Sequence, residues 1–216
     1  MSTDYFNNPR LSELLSNAKL VIFDMNGLIA DDEAVQLEAT NKALEPYNIV
    51  ISEDEWINNC VGRKGSEFLR EFMPKDYADT PSILNKVISE ILNRKREYYR
   101  DLMKDQVLRL IMPGVIGLIT YVSRSQKHTL ALATSAPAVE VDVILGKDGL
   151  NLKNQFKFII NGEDVKKAKP DPEIYLKISE LSGNENLLLG AIPDLKVGAL
   201  RPSLRNADFR TQKFSP

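Results

Sequence analysis

Cysteine and histidine are nearly missing from this chain: its 216 residues include one of each, Cys60 and His128. An intrachain disulfide is therefore excluded, as are the Cys/His clusters that hold zinc. A chain without disulfides fits a reducing compartment, so the expected location is cytoplasmic. Long apolar runs are lacking too. None approaches the roughly 20 residues that cross a bilayer, and the opening MSTDYFNNPRLSELL has no basic segment followed by an apolar one. Neither export nor membrane anchoring is expected. Charge of one sign is equally scarce: 28 Lys+Arg against 30 Asp+Glu leave a net charge of −2, which disfavours nucleic acid or an anionic membrane as a partner. What remains, 43% hydrophobic and 27% charged, is the composition of a globular protein with one core and room for an insertion. A monomer or weak dimer is expected.

The most informative stretch is LVIFDMNGLIADDE, residues 20–33. Four apolar residues, Leu20 to Phe23, stop at Asp24, and Gly27 follows three positions later. This pattern predicts a buried parallel strand that breaks into a tight loop. Open α/β sheets place their chemistry at such strand ends, where a carboxylate can serve as nucleophile or as ligand to a hard cation. An Asp that merely caps the next helix would explain the same residue.

From Ala34 to about Leu110 only helical signals occur. Leu37 and Leu44 share a face, Ser52 and Glu55 form a capping box ahead of Trp56, and Thr80-Pro81 starts a helix in which Leu84, Val87 and Ile91 recur at helical spacing. Alternation of helix and strand resumes at Met112-Pro113-Gly114. A helix from Val115 to about Ser123 precedes the strand Thr129 to Ala133, which ends in Thr134-Ser135. His128, just ahead of that strand, is given no role. In residues 137–147 the alternation of Val139, Val141 and Val143 with acids suits a strand, whereas Pro137 suits a helix start; pattern alone leaves both open. A short strand is expected from Phe156 to Ile160, and then a helix led by Asp171-Pro172 and closed by Gly183, which puts Lys169 on the preceding loop. A last apolar run, Leu187 to Ile192, stops at Pro193-Asp194.

Asp24, Thr134, Lys169 and Asp194 thus all follow strands, and the C-terminal ends of parallel strands share one edge of a sheet. Two carboxylates, a hydroxyl and an ammonium suit Mg²⁺ together with a phosphate group.

In these motifs the chain resembles the haloacid dehalogenase superfamily of phosphohydrolases, in the group with a helical cap that includes β-phosphoglucomutase-like sugar-phosphate phosphatases. FDMNGLIADDE (23–33), LALATS (130–135), KPDPEIY (169–175) and PDLKVGA (193–199) match its four motifs, and NNCVGRKGSEFL and MPGVIGLI match further family patterns. The resemblance implies an α/β, Rossmann-like parallel-sheet core formed by residues 1–33 and 113–216, with a helical cap, residues 34–112, inserted after the first strand. It implies a helix at 137–147. It further implies that Asp24 attacks phosphorus to form an aspartyl-phosphate, and that Asp24, the Asn26 carbonyl and Asp194 bind Mg²⁺. Thr134 and Ser135 would hold the phosphate, Lys169 would neutralise charge, and Arg63 and Lys64 in a cap loop would contact a small phosphorylated, sugar phosphate-like metabolite.

Two positions depart from the family. Asn26 stands where its phosphatases carry a second Asp, the general acid/base, and Pro193 replaces an acidic residue before Asp194. An amide cannot perform general acid/base work. The expected function is therefore a Mg²⁺-dependent phosphohydrolase of reduced activity, with Asn26→Asp restoring the missing group. The alternatives are a catalytically silent relative that acts as a binding or regulatory module, or another superfamily chemistry such as dehalogenation or phosphonate cleavage.

Overall fold

The computed structural model describes residues 15–16, 18–167, 169, 171–183 and 187–189. Its centre is β1 (Leu20–Phe23), flanked by β2 (Thr129–Ala133) and β4 (Leu187–Leu189), with β3 (Phe158–Ile160) outside β2. All pairings are parallel, with Ile22 opposite Ala131 on one side and Leu189 on the other. The chain therefore has the α/β, Rossmann-like fold expected of it.

Strand side chains alternate between two covered faces. Leu20 and Ile22 pack with Ala131, Ala133, Ile174 and Ile178, while Val21 and Phe23 pack with Leu132, Val115, Ile119 and Ile144. Burial on both faces explains why β1 reads as an unbroken apolar run rather than an alternating one. The sheet-covering helices are α7 (Val115–Arg124), α8 (Ala138–Leu145) and α9 (Glu173–Ser182). In the stretch 137–147, open on pattern, Ala138–Leu145 form a helix; Glu140 is itself buried, so the apolar/acidic alternation did not mark an inside and an outside face. The strand expected from Phe156 is shorter: Lys153–Gln155 form a 3₁₀ turn that Phe156 closes.

Between β1 and α7 the regular structure among the described residues is helical: α1 (Glu33–Leu44), α2 (Glu53–Glu55), α3 (Gly65–Phe72), α4 (Lys75–Ala78), α5 (Pro81–Met103) and α6 (Val107–Leu110). The Ser52/Glu55 capping box starts α2, which passes into a π turn at Trp56–Cys60. This block has its own apolar cluster, including Leu44, Trp56, Phe68, Leu69 and Ile91. At its far end α5 leaves that cluster and adds Tyr99 and Met103 to the sheet-side core. The two chain segments that join block and sheet lie side by side: the Asp31 N–H donates to the Leu110 carbonyl (2.8 Å) and the Met112 N–H to the Ile29 carbonyl (3.0 Å). Among the described residues no helix is long and apolar enough to cross a membrane.

Ile22 is 1% exposed at the centre of the sheet. Ile22→Ala is expected to cost about 2–5 kcal/mol through lost burial and the cavity left behind. Urea unfolding should show a lower midpoint with an unchanged slope.

Candidate active site

Chain geometry first dictates the turn after β1. The Met25 carbonyl accepts the amides of Leu28, Ile29 and Ala30 at 3.3, 2.8 and 3.2 Å, and the Gly27 N–H donates to the Ala30 carbonyl at 2.7 Å. A turn this tight puts Gly27 at φ 76°, a conformation that favours glycine. It leaves Asp24 at the strand end with its side chain one-third exposed. Asp24 Oδ1 accepts the Met25 N–H at 2.8 Å, and Oδ2 lies 3.0 Å from Lys169 Nζ.

Lys169 arrives from the loop between β3 and α9, which the Asp171-Pro172 turn fixes: the Glu173 N–H donates to Asp171 Oδ1 at 3.0 Å. Its ammonium also donates to the carbonyl of Ala133, the last residue of β2, at 2.9 Å, and lies 5.5 Å from the Tyr175 ring centre. Burial pulls the lysine pKa down most strongly, but charge and hydrogen-bond interactions with Asp24 and Tyr175 together outweigh this and hold it above its ordinary value. Thr134, fully buried after β2, is the third member: its Oγ1 donates to Asn26 Oδ1 (3.4 Å) and accepts the Ala136 N–H (3.1 Å). Gly162 lets the loop after β3 close on this one, since a Cβ there would stand 2.3 Å from the Ser135 carbonyl oxygen.

Asn26 opens onto a second, buried set of polar groups that sequence reasoning missed. Its Nδ2 donates to Asp32 Oδ1 (3.0 Å) and Oδ2 (2.9 Å). Asp32 is fully buried and also accepts from Tyr99 Oη (2.6 Å) and Gln36 Nε2 (3.0 Å). Gln36 Nε2 in turn donates to Glu140 Oε2 (2.8 Å), whose other oxygen accepts from Lys95 Nζ at 2.9 Å. Burial raises the Asp32 pKa, opposed by these donors and helped by the Glu140 charge. Burial followed by the two carboxylate charges raises the Tyr99 phenol, which stays a donor. The i, i+4 spacings of Asp32 with Gln36 and of Lys95 with Tyr99 were the available signals, but neither names its partner helix.

The two cap-loop cations are placed differently. Arg63 is engaged within the helical block, by Glu71 and the Asn59 carbonyl, whereas Lys64 Nζ reaches the Val165 carbonyl (3.4 Å) on the loop that leads to Lys169. His128 Nδ1 meets the Ala18 carbonyl (2.8 Å), a structural contact ahead of β2. Burial pushes the Cys60 thiol up to about 11, which leaves it a packing residue. Asp194 lies outside the described residues. Among those described, no three acidic, His or Cys side chains gather as metal ligands. The Asp24 carboxylate at the β1 end is a hard oxygen donor, of the kind that suits Mg²⁺ rather than a softer ion.

A family model described as haloacid dehalogenase-like hydrolase matches residues 21–186. A phosphorylated carbohydrates phosphatase of Thermotoga maritima is 33% identical over 162 residues, 74% of this chain and 68% of that protein. A haloacid dehalogenase-like hydrolase domain-containing protein of Arabidopsis thaliana is 27% identical over 78% of this chain, which spans 60% of that protein's length. The β-phosphoglucomutase of Bacillus subtilis is 26% identical over 83% of this chain and 76% of its own. Among solved structures, CbbY from Rhodobacter sphaeroides in complex with xylulose-(1,5)bisphosphate superposes with a TM-score of 0.68 at 23% identity, covering 80% of this chain and 76% of that one. At that identity the likeness speaks for the fold.

Lys95→Met is expected to destabilise the protein by on the order of 3 kcal/mol, because it leaves the buried Glu140 without its cation. Lys104→Met, at the exposed pair with Asp101, should change stability by less than about 1 kcal/mol. Denaturant midpoints of the two variants give the comparison.

Proposed function

The chain belongs to the haloacid dehalogenase-like hydrolases, and from that premise we propose that it hydrolyses the phosphate monoester of a small sugar-type metabolite through Asp24, at a rate limited by Asn26. The observation that carries this reading is the Asp24–Lys169 pair at 3.0 Å with buried Thr134 beside it at the same sheet edge. The phosphorylated carbohydrates phosphatase and β-phosphoglucomutase among its relatives support the substrate class.

In this mechanism the Asp24 carboxylate attacks phosphorus, the bond from phosphorus to the ester oxygen breaks, and an aspartyl-phosphate forms; water then hydrolyses it and returns the carboxylate. Lys169 offsets the negative charge shared between Asp24 and the phosphoryl oxygens, and the Thr134 hydroxyl can turn from its long contact with Asn26 to donate to one of those oxygens. Ser135, the next residue in that loop, takes part in holding the phosphate. Lys64 faces the loop that carries Lys169 and meets the anionic substrate from the helical block, residues 34–112, which serves as a cap; Arg63 is the second cap cation and would have to leave Glu71 to join it. Mg²⁺, when bound, would be held by Asp24, the Asn26 carbonyl and Asp194, and would supply further charge neutralisation at the phosphoryl oxygens.

The weak step is proton transfer. The departing alkoxide needs a proton and the attacking water must lose one, and Asn26 does neither. Its Nδ2 is turned to Asp32 and its Oδ1 can only accept a hydrogen bond. A positioned acid/base typically contributes about 10²–10⁴-fold, so turnover is expected to lie below a fully equipped site by that factor.

A panel of sugar phosphates and other phosphate monoesters, assayed for released phosphate with Mg²⁺ and with chelator, tests this reading. Slow turnover that requires Mg²⁺ and disappears in Asp24→Asn supports it. No release from any ester would favour the silent, binding role instead. Lys169→Ala should lower turnover by at least about 10²-fold, the scale of losing one preorganised charge, with little change in Tm; a rate unchanged in Lys169→Ala would remove it from the mechanism.

A further inference from the structure

The contact between Asn26 and Asp32 decides more than the orientation of an amide. Asn26 Nδ2 spans both oxygens of a fully buried carboxylate at 3.0 and 2.9 Å. That carboxylate already shares Gln36 with a second buried carboxylate, Glu140, and the one ammonium in this set, Lys95, is bonded to Glu140. A carboxylate at position 26 would stand as the third of the set, against Asp32 with no hydrogen between them unless one of the two takes up a proton. Like charges at such a distance out of water repel strongly, and the contact would lose its donor as well.

We propose that Asp32 is a positioning residue that reserves position 26 for an amide, so that a carboxylate is admitted at 26 only when 32 gives up its charge. The hydrogen-bond inventory carries the argument. When N26D and D32N are combined, the amide oxygen at position 32 can still accept from Tyr99 Oη and Gln36 Nε2, while the amide nitrogen there donates to the carboxylate at position 26. The exchange keeps the net charge, the number of atoms and the donor–acceptor balance of the parent. Asn26→Asp alone keeps none of the balance. The restoration expected from sequence for that single substitution is therefore confined to the pair.

The structural half of this inference stands on contacts alone; its catalytic half rests on the hydrolase reading. A cycle of the parent, N26D, D32N and N26D/D32N separates the two, read by thermal unfolding and by phosphate release from the monoester panel with Mg²⁺. N26D is expected to lose at least about 4 °C in Tm, and D32N added to it should recover most of that loss although D32N alone gives no gain. In turnover, the double variant should exceed both the parent and N26D by about 10²–10⁴-fold, the contribution of a restored acid/base. A double variant that recovers Tm but turns over no ester upholds the pairing and removes the hydrolase reading. Strictly additive Tm changes, a double variant less stable than N26D, or an N26D protein as stable as the parent and as active as the double overturns the pairing.

Discussion

Carboxylates taken out of water must be met by donors, and this constraint shapes the region around the end of β1. Asp24 is met by the Met25 amide and Lys169; Asp32 by Asn26, Gln36 and Tyr99; Glu140 by Gln36 and Lys95. Each solution draws on a different part of the chain. Lys169 comes from the loop after β3, Gln36 from α1, Tyr99 and Lys95 from α5, and Glu140 from α8. The helical block is consequently tied to the sheet by polar contacts as well as by the apolar end of α5. Arg96 adds an exposed link at 3.1 Å to Glu163, on the loop after β3, but exposed pairs of this kind contribute little.

The two sets of carboxylates meet at Asn26, whose Oδ1 faces Thr134 and whose Nδ2 faces Asp32. One side of this side chain belongs to the strand-end site, the other to the buried contacts that anchor α1 and α5. A substitution that looks isolated in the motif is thus joined to a second residue six positions later, which carries the carboxyl group that position 26 lacks. The amide is matched to its surroundings, and any effect on chemistry follows from that match.

Much of the frame was legible in sequence. β1 and β2 end where the apolar runs end, because strands covered on both faces leave no polar residue inside, and the first polar residues, Asp24 and Thr134, therefore mark the edge of the sheet. Lys169 could be placed because Asp171 and Pro172 fix the start of the helix that follows. Long-range contacts between polar residues were not legible: Tyr99 and Asp32 are 67 positions apart, and Gln36 and Glu140 are 104 apart. A buried Glu on a helix reads as a solvent-facing residue until its cation is known, and this is also why residues 137–147 imitated a strand. Arg63 and Lys64 are adjacent in sequence yet diverge, since Glu71 lies on α3 just beyond and captures the first.

The most direct test of Asp24 as a nucleophile is to look for the phosphoryl group on it. The protein would be mixed with Mg²⁺ and p-nitrophenyl phosphate, quenched in acid and digested, and the 20–33 peptide examined by mass spectrometry. The p-nitrophenolate leaves without a proton, so the missing acid does not slow formation, whereas Asn26 cannot activate water for hydrolysis of the aspartyl-phosphate; the adduct should therefore accumulate on Asp24. Phosphate released from an ester with no adduct on that peptide, or an adduct that persists in Asp24→Asn, would contradict the assignment.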